Sequence, residues 1–255
     1  MSVIVSCKQT PLGDLCEKLL EKTCNTYYND LSEKGDAWRM KTDTTPGKQN
    51  LQGEEAPTMN VLGEYWVTAA FVIINVLVYL ILEIGGDTED AYYMMEHGAI
   101  YPTRIVENGE YWRLLTATFM HFGFMHLFNN MIILITAGQI LEKAIGHWKY
   151  LFLYVLAGIG GSSLSYLQML HSGDYAVVAG ASGAIFGIIG ALLWIVIIHK
   201  GRYETLTGKG LIIMIVLCLY YGISSGGVDN WGHIGGLLGG FVLGILLYRK
   251  KSRPD

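Results

Sequence analysis

Charge is what this sequence has least of. Only 16% of its 255 residues are Asp, Glu, Lys or Arg, against about 25% in an ordinary soluble domain. The interiors of its long apolar runs hold none. Ion- and proton-coupled transporters depend on ionisable groups within the membrane, so this absence argues against a transporter. A net charge of −4 gives no electrostatic reason to expect nucleic acid as a partner. The first residues lack a basic start followed by an apolar core of about 7–15 residues, which argues against a secretory signal. Cysteine is also scarce. Cys7, Cys16 and Cys24 follow no zinc-site spacing and Cys218 lies in an apolar run, so free reduced thiols facing the cytosol are expected rather than a disulfide framework.

The remainder is strongly apolar: 51% of residues are hydrophobic and the mean hydropathy is +0.34. Many of the charges crowd into the first sixty residues. This divides the chain into a polar cytoplasmic N-terminal region and linker (1–60), a six-helix domain (61–250) and a basic tail (251–255). In the first part, Leu12, Leu15, Leu19 and Leu20 follow helical spacing, so a short amphipathic helix is expected near 12–24. Pro46, Gly47 and Pro57 mark 40–58 as linker.

Six apolar segments follow, at 65–84, 114–141, 150–170, 178–198, 210–224 and 231–248. Most reach the ~20 residues needed to cross a bilayer; the fifth is short. In lipid every backbone group must be satisfied internally, so each is expected to be a helix. The connections after the second and fourth segments and the C-terminal tail carry Lys143, Lys149, Lys200, Arg202, Lys209, Arg249, Lys250, Lys251 and Arg253. The opposite loops carry Arg104 and Arg113 among many acidic residues. Excess positive charge stays inside, which places both termini in the cytoplasm and the 85–113 loop outside. The expected protein is an all-α, multi-pass protein of the cell membrane.

The polar residues left inside the spans carry the chemistry. The second segment holds His121, His126 and Asn130; the fourth opens on Gly180-Ala-Ser182-Gly183; the sixth opens on Trp231-Gly-His233. Counted back from the inner ends, His126, Ser182 and His233 each stand about 16–17 residues up, or ~24–26 Å at the helical rise, just below the outer surface. A serine level with a neutral histidine is a candidate nucleophile and base. No carboxylate lies at that depth, so the expectation is a Ser182–His233 dyad. Donors for a developing oxyanion are available from the Asn130 amide, the His126 ring and the Ser182 backbone N–H at a helix start, beside Gly180. Gly180 and Gly183 leave room for a substrate backbone. Glycines at 232, 236, 240 and 244, with 183 and 187, let two helices approach closely. Metal binding by His121, His126 and His233 is the weaker reading: no HExxH occurs, and a five-residue separation would point His121 and His126 apart on one helix. His121 is expected to be structural, and Arg113 to tie down the outer loop.

These residues resemble the rhomboid intramembrane serine proteases of bacterial type over roughly 65–248. The resemblance rests on Trp112-Arg113, the H-x4-H-x3-N pattern of His121, His126 and Asn130, Gly180-x-Ser182-Gly183, Gly232-His233-x-x-Gly236, and LExxxG at Leu141–Gly146. It implies a six-helix bundle, Ser182 as nucleophile, His233 as base, and His126, Asn130 and the Ser182 amide as oxyanion site. It implies single-pass membrane proteins as substrates and no metal or organic cofactor. Phe186 stands where some members carry a tyrosine beneath the catalytic histidine. A catalytically inactive relative that binds membrane clients is the alternative; such proteins tend to lack the serine or the histidine.

Overall fold

The computed structural model describes residues 64–225 and 227–250. The expected N-terminal region, its helix at 12–24, Cys7, Cys16, Cys24 and the tail at 251–255 lie outside them.

Long helices dominate: α1 (Trp66–Gly85), α5 (Gly123–Ile145), α6 (His147–Ser172), α7 (Ser182–Ile198), α8 (Gly208–Ser225) and α9 (Asn230–Leu247). Between α1 and α5 lie three short helices, α2 (Ala91–Glu96), α3 (Pro102–Asn108) and α4 (Arg113–Thr116). A two-stranded hairpin, Arg202–Tyr203 (β1) with Leu206–Thr207 (β2), joins α7 to α8. Four helices, α1, α5, α6 and α9, are long and apolar enough to cross a membrane; α7 and α8 are shorter apolar helices.

Two sequence expectations need correction. The second apolar segment does not run as helix from 114. Residues 114–122 form the end of α4, a 3₁₀ turn and an extended stretch, and α5 begins only at Gly123, whose φ of 72° a side-chain-bearing residue rarely adopts. The 85–113 connection is not plain loop. Asp90 caps α2 by accepting from the Tyr92 and Tyr93 N–H groups, and Pro102 opens α3. Met94, Ile100, Ile105, Ala117, Met120 and Met169 give this region a small core of its own.

α7 is the central post. Residues along its whole length, from Ala184 to Val196, are buried. It meets α9 with backbone against backbone: a Cβ at Gly236 would land on the Gly183 carbonyl, and one at Gly240 on the Gly187 carbonyl. On the other flank of α9, Gly161 of α6 faces the Gly232 carbonyl. Small residues at four-residue spacing therefore bring α6, α7 and α9 together without intervening side chains.

At the opposite end of α5 from Gly123, Glu142 is buried inside the helix, not beyond it as the segment boundary at 141 implied. Its carboxylate accepts from the Val67 and Thr68 N–H groups at 3.0 and 2.9 Å, from Thr68 Oγ1 at 2.6 Å and from His147 Nδ1 at 2.6 Å. It thus supplies the cap that the first turn of α1 lacks locally. Glu142→Ala strands these donors, and a loss of about 3 kcal/mol in unfolding free energy is expected. Denaturant titration in detergent checks it; an unchanged midpoint would contradict this role.

Candidate active site

The Ser182 hydroxyl stands where an extended strand turns into α7. The strand is held from both sides. Val178 and Ile100 exchange backbone hydrogen bonds at 3.0 and 2.8 Å, and the Gly180 N–H donates to the Ala117 carbonyl at 2.9 Å. The Ala181 N–H donates to His121 Nε2 at 3.4 Å. His121 is fully buried and lies ahead of α5 rather than on it. That placement overturns the expectation that His121 and His126 diverge: their rings are 5.2 Å apart. The expectation failed because Gly123 breaks the helix between them.

Ser182 is the first residue of α7 and is half-buried. The free N–H groups of that first turn lie beside its hydroxyl, at the positive end of the helix dipole. Gly180 precedes it with φ of 151°. A Cβ at Gly180 would meet the His126 ring at 2.9 Å, with Ser182 Oγ 3.6 Å away, so His126 and Ser182 border the same small space. Gly180→Ala should push on the His126 ring and, if this space receives a reacting carbonyl, cut kcat about tenfold or more. Steady-state kinetics on folded variant would check it.

Asn130 is buried one turn below His126, and its Nδ2 donates to the His126 carbonyl at 2.8 Å. One amide hydrogen is therefore already engaged and the other remains for a ligand.

His233 is buried in the first turns of α9. Its ring stacks on Phe186 with centroids 4.2 Å apart and planes 7° from parallel. Phe186 lies one turn below Ser182 on α7, so the ring that supports the imidazole belongs to the helix that carries the hydroxyl. Gly183 and Gly232, the neighbours of Ser182 and His233, meet at the α7–α9 contact. Among the described residues no hydrogen bond joins Ser182 Oγ to His233, and His233 Nδ1 is buried without a partner. Catalytic hydrogen bonds in ligand-free sites are often loose and tighten around substrate.

Asp229 caps α9, accepting from the Gly232 N–H at 2.9 Å. Burial pushes its carboxyl above the ordinary value, while the Gly232 N–H and the Ser165 hydroxyl act in the opposite direction. An Asp just before an apolar helix is an N-cap signal that could have revealed it.

Trp112 and Arg113 lie in the segment between α1 and α5. Arg113 is buried; its Nη1 donates to the Met95 and Ala99 carbonyls at 2.5 and 2.9 Å, and it pairs with Glu110. The Arg113 hydrogen bond holds the Glu110 carboxyl below its usual range. The exposed Trp112 ring stacks under the guanidinium, 4.8 Å from its carbon.

A model of the rhomboid domain matches residues 108–250, more than half of the chain and including His126, Asn130, Ser182 and His233. The chain belongs to the rhomboid family. It is 34% identical to the rhomboid protease GluP of Bacillus subtilis over 205 residues, covering 80% of this chain and 39% of GluP. It is 44% identical to RHOMBOID-like protein 5 of Arabidopsis thaliana over 146 residues, covering 56% of this chain and 46% of that protein. RHOMBOID-like protein 7 of the same plant is 30% identical over 230 residues, covering 78% of this chain and 70% of the relative. The rhomboid chain thus spans less than half the length of the first two relatives. Family and apolar helices together make it a multi-pass membrane protein.

Proposed function

We propose that this rhomboid is an intramembrane serine protease that cuts single-pass membrane proteins in or near their transmembrane segments. The carrying observation is the convergence of four groups at one end of α7. The Ser182 hydroxyl shares its space with the His126 ring, while His233 stacks on a ring from Ser182's own helix. Ser182 Oγ attacks the scissile carbonyl while His233 takes its proton. The tetrahedral oxyanion is met by the Ser182 N–H, the His126 ring and the remaining Asn130 amide hydrogen. His233 then returns the proton to the leaving amine, and a water hydrolyses the acyl-enzyme by the same route in reverse. No metal or organic cofactor enters these steps. All six long helices cross the membrane in this reading, with both termini and the polar residues 1–60 in the cytoplasm and the site near the outer surface. Helix-weakening residues near the cut favour cleavage, because a peptide bond must leave its helical hydrogen bonds to reach Ser182.

The test is covalent. Purified protein in detergent is treated with a small fluorophosphonate and peptide-mapped, then assayed on a single-pass fusion substrate. The expected result is a single adduct on Ser182, with turnover blocked in proportion. An unlabelled protein that still binds the fusion would be the inactive, client-binding relative. Labelling of N-terminal cysteines in intact cells by an impermeant reagent would reverse the topology.

A further inference from the structure

α8 and α9 are joined by a polar contact at the end nearest the site. Asn230 is the first residue of α9, and its Nδ2 donates to the Leu219 carbonyl of α8 at 3.0 Å. Its amide lies against Gly222 of α8 so closely that a Cβ there would collide with it. The Asn230 Oδ1 is buried without a partner, so one hydrogen bond and this fit hold the amide. Elsewhere on α8, Leu211 and Ile215 pack into the core, while Ile212, Ile213, Val216, Tyr220 and Ile223 are exposed on its other face. His233 lies three residues beyond Asn230, one turn along the same helix. Asp229, on the other side of Asn230, closes the same turn through Gly232.

We propose that Asn230 is a positioning residue for His233: by fastening the first turn of α9 to α8 it fixes where the imidazole stands relative to Ser182. Phe186 holds the ring from below, and the α7–α9 glycine contacts fix the helix further along. The inference rests on the serine-protease reading and adds to it a residue that touches neither substrate nor reacting atoms.

Two variants of the full chain test it from opposite sides of the contact. Asn230→Ala removes the tether, and Gly222→Ala displaces it from α8. Each is compared with wild type for thermal midpoint, for the rate of Ser182 phosphonylation by a small fluorophosphonate, and for kcat and KM on a single-pass fusion substrate. Both variants should slow phosphonylation by about tenfold or more, because a base displaced by even ~1 Å loses much of its effect. kcat should fall by a similar factor, with KM within about twofold. A merely structural contact would lower the midpoint without slowing the small probe. Wild-type labelling rates in either folded variant, or a loss confined to KM, would overturn the tether. If one variant does not fold, the other decides. If the wild type itself is never phosphonylated, the protease reading fails and this inference with it.

Discussion

Purified Ser182→Ala and His233→Ala should each lose cleavage of a single-pass fusion substrate by at least ~10³-fold, about 4 kcal/mol of transition-state stabilisation, if the two residues act as proposed. The direction follows from the roles. Without Oγ there is no acyl-enzyme, and without the imidazole the hydroxyl keeps its proton and remains a weak nucleophile. The double variant should be no worse than either single one, since both would remove the same step; groups that act as a unit are far from additive. His126→Ala should behave differently, falling about 10²-fold as one proposed oxyanion donor is lost while the nucleophile stays activated. Phosphonate labelling separates these cases: absent in Ser182→Ala, slowed in the other two. Cleavage persisting in Ser182→Ala would reject the dyad outright.

The largest effect on stability is expected at Gly240. Its α-carbon faces the Gly187 backbone so closely that a Cβ would overlap the Gly187 carbonyl. A backbone group cannot swing aside like a side chain, so α7 and α9 must separate. In lipid the helices are held by van der Waals contact and not by exclusion of water, and separation forfeits that contact along the whole seam. Gly240→Ala should cost about 3 kcal/mol, and Gly240→Leu should yield no folded protein. Leu238, on the exposed side of the same helix, supplies the control: Leu238→Ala should leave the midpoint unchanged. Thermal unfolding in detergent reads all three. A folded, active Gly240→Leu would show that the seam is not what holds these helices.

The candidate residues that the fold gathers near the start of α7 could be picked out from composition and spacing. Uncharged runs leave few polar residues, and those few are informative because lipid makes them expensive. The glycine spacing of α9 was equally direct: Gly236 and Gly240 do sit against the α7 backbone. Features that depend on backbone dihedrals were not readable in this way. His121 and His126 look like members of one helix until Gly123 is known to take positive φ, which turns the chain and brings the rings together. The short helices between α1 and α5 are marked by Asp90 and Pro102, but high polarity around them reads as loop. Glu142 was the least legible. Its acceptors are filled from residues more than seventy positions earlier in the chain, a pairing no local pattern reports.

At the end of the bundle away from Ser182 the helices are tied nearly flush: Lys149 of α6 donates to the Leu247 carbonyl of α9, and Lys250 to the Ile198 carbonyl of α7. Yet α6 has 26 residues and α7 only 17, a difference of nine, or ~13 Å of helical rise. All of that excess must appear above Ser182. A step therefore rises beside the hydroxyl on the α6 flank, whereas α9, with 18 residues against the 17 of α7, stands almost level with it.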